Sequence, residues 1–327
     1  MSDSAARLVA MCGRYTQKLK ADDLVAAMSA RDETGGGVAE SYNVAPTSTM
    51  PIVVAEPPEA GGGPGGAAGG DAGGDAGGPS GDDLSGREPA GRVLRLATWG
   101  LVPSWAKDRA IGAKMINARA ETVATKPAFR AAFAARRCLV PATGFYEWFH
   151  PGGGSRRGQP FYIYPAGHPA GEGVLAFAGL YEVWRKGDVP LVTFTILTTG
   201  AAEGLAFLHD RSPVILPAAA WDRWIDPAAD PAALAPLLRP APVGVLAAHP
   251  VGAAVGNVRN KDPRLTDPVD LDPTVADAVE LAGGPAVAAA DLVAGGDVAH
   301  RRAGSARARP AGAAVDLSLF ELDPTEQ

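Results

Sequence analysis

Runs of β-branched and aromatic residues, divided by glycine, proline and polar residues, recur along the chain and predict a series of short strands. The three consecutive runs at 137–149, 160–165 and 174–184 have turn residues between them, which is typical of strands that pair with their neighbours. The full set of predicted strands covers residues 50–55, 93–99, 137–149, 160–165, 174–184, 191–199, 214–216 and 243–251.

A moderate apolar stripe that includes Leu24, Val25 and Met28 predicts a helix over residues 17–32. Residues 40–47 are predicted to be an irregular loop. Strands outnumber helices and do not alternate with them regularly, so the pattern favours a single α+β domain with a mostly antiparallel sheet or barrel and short peripheral helices. The other predicted helices cover residues 127–136, 201–208, 218–225 and 231–238.

Two stretches of low complexity interrupt or follow this pattern. Residues 56–91 consist mainly of Gly, Ala, Pro and Asp, with almost nothing to bury, which predicts a flexible insertion between two strands. Residues 267–327 are rich in Ala, Gly and Asp and are predicted to form a mostly disordered tail. The catalytic domain is therefore expected to span residues 11–266, preceded by a leader at 1–10 that is absent from the active form.

The charge of the chain is unevenly distributed. The formal net charge is −6. Residues 56–90 contain seven acidic residues and one basic residue, and residues 267–327 contain eleven acidic and four basic residues, which leaves +7 on the remainder. A basic body with acidic appendages is compatible with a phosphate-backbone partner, although many proteins that bind no nucleic acid are also modestly basic.

The remaining composition excludes several classes of protein. The chain has 327 residues, 46% of them hydrophobic, which is enough for a sizeable core, but no apolar run is long enough to span a membrane. Two cysteines make no disulfide framework, and no Cys/His cluster has metal-site spacing, so we expect neither a metal nor another cofactor. We expect a cytoplasmic monomer in which Cys138 faces the core from a strand.

The stretch Met11-Cys12-Gly13-Arg14 can place a reactive cysteine at a chain terminus. If translation starts at Met11, or the preceding residues are removed, Cys12 has a free amine beside its thiol. Such an amine, with a pKa near ~8, attacks aldehydes to give a Schiff base, and the neighbouring thiol can then close a five-membered thiazolidine ring. The opposing interpretation is an ordinary buried cysteine at the start of a strand.

Three further residues are candidates for chemistry. Glu147 is a single carboxylate among aromatic residues, where loss of hydration would raise its pKa and suit it to proton transfer. His209 follows a predicted helix in a loop, which is a common place for site residues. Asn117 alternates with apolar neighbours, as does Arg119, so both side chains can face one ligand. Each also has an ordinary interpretation, as an exposed strand residue or a surface histidine.

Seven sequence blocks occur in an order that resembles the SOS response-associated peptidase (SRAP) family. The resemblance covers roughly residues 11–262, interrupted by the glycine-rich insertion. The blocks are Met11-Cys12-Gly13-Arg14-Tyr15, Tyr42-Asn43-Val44-Ala45-Pro46, Trp99-Gly100-Leu101-Val102-Pro103, Ile116-Asn117-Ala118-Arg119-Ala120-Glu121-Thr122, Gly144-Phe145-Tyr146-Glu147-Trp148, Leu208-His209-Asp210-Arg211-Ser212-Pro213 and Gly256-Asn257-Val258.

The resemblance implies a DNA-repair protein that recognises abasic sites in single-stranded DNA and attaches itself covalently through a terminal cysteine. It also implies removal of whatever precedes that cysteine, by the protein itself or otherwise. Carried over by motif, Cys12 is the nucleophile, Glu147 moves protons, His209 is a second acid or base, and Asn117 orients the amine and the sugar. The implied DNA contacts are Arg14, Arg119 and Arg211 on phosphates and Trp105 stacking on a base.

Two features depart from the family pattern. Cys12 is not the second residue of the sequence, and neither the insertion nor the tail has a counterpart in the family. Initiation at Met11 is the favoured route to a free Cys12, with self-cleavage as the other. Two other functions stay open on the sequence alone: a cysteine hydrolase that uses Cys12, His209 and Glu147, and a non-catalytic protein that binds single-stranded DNA.

Overall fold

The computed structural model describes residues 12–56, 91–151, 158–202 and 204–284. The strands in these ranges are β1 (Tyr15–Gln17), β2 (Ala30–Asp32), β3 (Ser41–Val44), β4 (Thr49–Ala55), β5 (Arg92–Trp99), β6 (Asn117–Arg119), β7 (Arg137–Ala142), β8 (Gly144–Phe149), β9 (Gln159–Pro165), β10 (Leu175–Trp184), β11 (Leu191–Gly200), β12 (Arg211–Pro213) and β13 (Leu246–Pro250). The helices are α1 (Ala21–Met28), α2 (Arg130–Ala135), α3 (Trp221–Ile225), α4 (Pro231–Leu234) and α5 (Pro273–Leu281). Short 3₁₀ turns lie at Arg109–Lys114, Ala120–Thr122, Ala218–Ala220, Ala235–Leu237, Ala253–Gly256 and Pro263–Thr266.

Five strands form a closed barrel in the order β4, β5, β11, β10 and β7. The pairs β4–β5, β10–β11, β10–β7 and β4–β7 are antiparallel. The ring closes through a parallel pair, in which Thr193 and Phe194 of β11 lie opposite Thr98 and Trp99 of β5. Closure pairs every strand of the ring on both sides and leaves none of the five as a free edge. The expected α+β class with a mostly antiparallel sheet or barrel is confirmed.

A second sheet, ordered β13-β9-β8-β1-β3, packs against the barrel. Its centre is formed by β1 and β8, which pair antiparallel with Tyr15 opposite Phe145. This register places the residues just before β1 beside the middle of β8. Cys12, three residues before Tyr15, and Glu147, two residues after Phe145, therefore lie at the same point of the sheet.

Aromatic side chains fill the space between the sheet and the barrel. Tyr15 meets Trp99 with ring centroids 5.2 Å apart, and Phe145 meets Phe177 at 5.9 Å, both in edge-to-face geometry. Such pairs add roughly 0.5–1.5 kcal/mol beyond the area they bury. Cys138 lies fully buried on β7 in the same core, which confirms the predicted inward-facing strand cysteine.

Several predicted elements differ from the structure because a local backbone change ends them early. The predicted strand 137–149 is two strands in different sheets, separated at Thr143. The predicted helix 17–32 is only α1, because Ser29 adopts a left-handed φ of 47° and the chain then forms β2. The predicted helix 201–208 is wrong: its described residues form turns, and Gly204 has a φ of 83°, which a helix interior does not allow.

Other differences reflect hydrogen bonding that the hydrophobic pattern does not encode. The predicted loop at 40–47 contains β3, which pairs with β1. The strand predicted at 214–216 lies instead at β12, three residues earlier, and Ile215 forms only an isolated bridge to Phe177. The predicted helices 218–225 and 231–238 are short α-helical pieces, α3 and α4, joined to 3₁₀ turns.

The predicted appendages lie partly outside the described residues. Residues 1–11, residues 57–90 of the insertion and residues 285–327 of the tail are not described. The two ends of the insertion meet, because the amide of Glu56 donates to the carbonyl of Gly91 at 2.6 Å. The folded body extends past the boundary expected at 266, since α5 has Val279 fully buried in the main core. No helix among the described residues is long and apolar enough to cross a membrane.

Candidate active site

The site is built on the contact between Cys12 and Glu147, residues 135 positions apart in the sequence. The backbone nitrogen of Cys12 donates to Oε1 of Glu147 at 2.7 Å. In this chain that nitrogen is a peptide amide, and it stands where the amine would be in a chain that begins at Cys12. The structure therefore holds a carboxyl group within hydrogen-bond distance of the nitrogen that the sequence singles out.

Glu147 is only 5% exposed, and this burial controls the acidity of its carboxyl group. Loss of hydration raises the pKa of Glu147 to about 8, and the nearby charge of Asp210 adds to the increase. Hydrogen bonds from the backbone amides of Cys12 and Trp148 oppose it but do not cancel it. A carboxyl group with such a pKa exchanges protons near neutral pH, as a general acid or base requires.

The thiol of Cys12 is held in its neutral form. Cys12 is fully buried, and this burial raises the pKa of its thiol well above the usual value, with a further increase from the charge of Glu147. The backbone at Cys12 has a φ of 42°, in the left-handed region that residues with a β-carbon seldom adopt. The site thus strains the backbone at Cys12 and disfavours a resting thiolate.

His209 lies on the loop that leads into β12, directly before Asp210, whose charge adds to the increase in the pKa of Glu147. Its Nδ1 accepts from the amide of Arg211 at 3.1 Å and lies 2.7 Å from Oδ1 of the exposed Asp210. One proton cannot serve both contacts: the first needs a lone pair on Nδ1 and the second a proton. Burial lowers the pKa of His209, which favours the neutral ring. In the tautomer that accepts from Arg211 the proton lies on Nε2.

Asn117 and Arg119 lie on β6, which pairs with the last half of β11. Ala118 between them is buried, whereas Asn117 is half-buried and Arg119 exposed, so the two polar residues share the opposite face. This matches the alternation expected from the sequence. Strand β12 pairs with the same end of β11, at Thr198–Gly200.

Arg211 of β12 is already engaged in an ion pair. Its guanidinium donates to both carboxylate oxygens of Glu121, at 3.0 and 2.8 Å, and to the carbonyl of Thr198 at 2.6 Å. The ion pair also lowers the pKa of Glu121. A phosphate that binds Arg211 in this arrangement has to replace Glu121 or share the guanidinium with it.

Trp105 is 55% exposed at the tip of its loop. Its carbonyl accepts from Nζ of Lys186 at 2.8 Å, which ties this loop to the hairpin between β10 and β11. The ring is therefore exposed to solvent, and its stacking on a base stays a prediction. Among the described residues, no group of three or more His, Cys, Asp or Glu side chains has the geometry to hold a metal ion.

Comparison with known proteins identifies the family of this arrangement. The model of the family described as SOS response associated peptidase (SRAP) matches residues 11–258. The chain belongs to the SRAP family. It is 34% identical over 261 residues to the Bacillus subtilis "Abasic site processing protein YoqW", with 79% of this chain and 99% of that protein covered. It is 33% identical to the Gallus gallus "Abasic site processing protein HMCES", with 80% and 79% covered.

The fold of this SRAP chain also resembles solved structures. A crystal structure of a protein from Bacteroides thetaiotaomicron aligns with a TM-score of 0.61 at 24% identity, and the alignment covers 79% of this chain and 100% of that one. A protein from Bordetella bronchiseptica aligns with a TM-score of 0.53 at 23% identity. These similarities support the fold.

The structure adds Asn43 and Lys261 to the site, two residues that the sequence patterns did not single out. Arg14 donates to Oδ1 of Asn43 at 3.0 Å and to the carbonyl of Val255 at 2.9 Å, and Nζ of Lys261 donates to the backbone carbonyl of the same Asn43. Asn43 belongs to one of the motif blocks, and Lys261 lies three residues beyond the family match. A cluster of Arg259 and Lys261 after the last block was the one available signal.

Arg14 and Lys261 form an uncompensated pair of positive charges. Burial lowers the pKa of both side chains, and the charge of Arg14 lowers that of Lys261 further. Neither side chain forms an ion pair within the described part of the chain, and both donate to neutral oxygens. Two like charges held together without a carboxylate favour binding of an anion, because the anion relieves their repulsion.

Proposed function

We propose that this SRAP protein recognises abasic sites in single-stranded DNA and links itself to them through Cys12. The observation that carries the proposal is the 2.7 Å contact between the Cys12 nitrogen and the Glu147 carboxyl group. Support also comes from the relatives, which are named abasic site processing proteins. An abasic deoxyribose opens to an aldehyde, and an amine beside a thiol is a group that captures an aldehyde stably.

The proposed linkage forms without an oxidant or reductant. The Cys12 amine adds to the sugar aldehyde to give a carbinolamine, which loses water and becomes an imine. The Cys12 sulfur then adds to the imine carbon, and the proton of the broken S–H bond moves to the nitrogen. The product is a thiazolidine, and the whole sequence releases one water molecule.

Glu147 moves the protons that this sequence requires. When a terminal ammonium replaces the amide, it and the carboxyl group titrate as a coupled pair at 2.7 Å. Glu147 takes a proton from the ammonium, which frees the lone pair for attack, and returns it to the carbinolamine hydroxyl that leaves as water. His209 is the second acid or base, and Asn117 orients the amine and the sugar.

The active chain begins at Cys12. With a residue before it, the Cys12 nitrogen is a planar amide whose lone pair is delocalised, so it cannot form an imine. The left-handed φ of 42° at Cys12 costs on the order of 1 kcal/mol. Removing the preceding residue relieves this strain, because a terminal residue has no φ angle. We favour initiation at Met11 followed by removal of the methionine. Self-cleavage by the same groups is the second route and accounts for the peptidase in the family name.

A general cysteine hydrolase is less well supported. A Cys12-His209-Glu147 hydrolase works through a thiolate, which a neighbouring imidazolium normally stabilises. Here burial and the Glu147 charge both raise the pKa of the Cys12 thiol, and burial lowers the pKa of His209. Both shifts disfavour the thiolate–imidazolium pair, whereas an amine-first mechanism does not need it.

Denaturing electrophoresis tests this function directly. Protein that begins at Cys12 is mixed with single-stranded DNA with and without one abasic site, and with the same abasic strand annealed to its complement. The proposal predicts a slow-moving band only with abasic DNA, and more of it with the single strand. Reversible retardation on native gels without any denaturation-resistant band would favour the non-catalytic DNA-binding alternative.

The paired cations Arg14 and Lys261 are proposed to hold a backbone phosphate beside the lesion, with Arg119, Arg211 and Trp105 as further DNA contacts. Lys261→Gln keeps a hydrogen-bond donor for the Asn43 carbonyl but removes the charge. We expect the slope of log affinity against log salt to become shallower by about 0.7, as for one lost phosphate contact on a single strand. The control is Lys20→Gln at the exposed start of α1. An unchanged slope in Lys261→Gln would show that this lysine only fastens Asn43.

A further inference from the structure

Helix α5 lies beyond the region that the family model matches, and it is a well-formed element. Asp272 caps its start by accepting from the amide of Thr274 at 2.9 Å. At its end Gly283 has a φ of 82° and Gly284 donates to the carbonyl of Val279 at 2.9 Å, which is a Schellman cap. The caps fix where the helix starts and stops, so the face that it presents to the core is also fixed.

The end of α5 contacts the loop that carries His209. A β-carbon built on Gly284 would lie 3.1 Å from Cδ2 of Phe207, so the capping turn and this ring are in contact. Val279 of α5 and Leu208 of the loop are buried in the same core cluster. The loop has no regular secondary structure of its own, since residues 204–208 form turns. Its position therefore depends on how its side chains pack.

Phe207 also contacts the strand that carries Glu147 and one of the two strands paired with it. Its ring lies 6.2 Å from that of Phe149 and 5.7 Å from that of Phe161. Phe149 follows Glu147 by two residues on β8, and Phe161 lies directly opposite Glu147 on β9. Phe207 thus contacts two aromatic residues next to Glu147 and itself lies two residues before His209.

We propose that Phe207 is a positioning residue for His209 and that α5 holds Phe207 in place. The inference rests on the proposed function, because it assigns α5 a part in the same covalent reaction. Buried side chains that interdigitate transmit a displacement to their neighbours, since a packed core has little free volume. A loop without regular structure takes its geometry from such packing. Weaker packing of α5 therefore lets the loop move and displaces the His209 side chain.

The test uses Val279→Ala, which removes two buried methyl groups from α5, and Phe207→Leu, which removes the ring. The matched control is Leu281→Ala on the same helix, where the side chain is 92% exposed. At a temperature where every variant is fully folded, we expect Val279→Ala and Phe207→Leu to slow adduct formation roughly tenfold, as a misplaced catalytic group does. Their DNA affinity and the rate of Leu281→Ala are expected to stay unchanged.

Two further measurements separate positioning from general stability. In a His209→Ala background, Val279→Ala is expected to cause no additional slowing, because both changes act through one group. Hydrogen exchange is expected to speed up over residues 204–210 in Val279→Ala, and not in Leu281→Ala. Full additivity of the two rate effects, or unchanged exchange in this loop, would overturn the inference. If wild-type protein forms no adduct, the proposed function fails, and the exchange result still decides whether α5 holds the loop.

Discussion

A Cys12→Ala chain that begins at residue 12 is expected to form no adduct with abasic DNA that survives denaturation. The alanine amine lies beside Glu147 as before and can still give an imine, but no thiol is present to close the ring. Imines hydrolyse, so the linkage is lost when the protein unfolds. The expected result is complete loss of the stable band, measured by denaturing electrophoresis.

Borohydride added during the reaction provides the matching control, because it reduces an imine to a stable secondary amine. Cys12→Ala should then regain a band on abasic DNA, and Cys12→Ser should behave in the same way. A variant whose amine is acetylated should give no band in either condition. A stable Cys12→Ala adduct in full yield without borohydride would show that the thiol takes no part in the linkage.

Glu147→Gln is expected to slow adduct formation by roughly 10²-fold or more, which is the usual contribution of a positioned acid or base. Glutamine keeps the shape of the side chain and still faces the Cys12 nitrogen, but it cannot take up and return a proton. DNA affinity is expected to stay near the wild-type value. The rate is measured by stopping the reaction at intervals and quantifying the denaturation-resistant band.

Stability measurements give the same variant a second readout. In protein that retains the residue before Cys12, the folded state raises the pKa of Glu147 from the usual range to about 8. The folded state therefore binds the proton more tightly, and this contribution to stability is full at low pH and is lost as the pH rises towards 8. Glu147→Gln should remove that decline. The control is Glu182→Gln, which changes a buried carboxylate paired with Arg136 away from this site.

An equal loss of DNA affinity and of adduct formation in Glu147→Gln would contradict the assigned role. It would show that Glu147 only supports the shape of the site. The same pH dependence of the rate of adduct formation in Glu147→Gln and in wild type would also contradict the role. It would show that the group whose titration controls the rate is another residue.

The local pattern of residues predicted the strands better than the helices, because the strands have a strong residue composition of their own and the helices do not. β11 is a long run of β-branched and aromatic residues, and β10 is a long apolar stretch with several aromatic residues, so their signal survives without knowledge of the partner strand. The helices are short and depend on tertiary packing. The segment 201–208 contains helix-forming alanine and leucine, yet Gly204 and the burial of Leu208 hold it as turns.

Closure of the barrel was beyond the reach of the sequence. It depends on the parallel pairing of β5 with β11, which are separated by almost a hundred residues. The contact between Cys12 and Glu147 spans 135 residues and has the same origin. Local reasoning named both residues as candidates, but only the ordered motif blocks linked them to one site. Lys261 and α5 lie outside those blocks, and the basic residues Arg259 and Lys261 after the last block are the one feature of the sequence that points to this region.

In the proposed reaction the amine of Cys12, and not only its thiol, forms the bond to DNA. The most direct measurement compares two otherwise identical proteins, one that begins at Cys12 and one that keeps Met11 and cannot lose it, each mixed with the same abasic single strand and examined by intact mass. We expect the chain that begins at Cys12 to gain the mass of the DNA less one water, and the longer chain to gain nothing. An adduct of equal yield on the chain that keeps Met11 would exclude the amine as the attacking group and favour attack by the thiol alone.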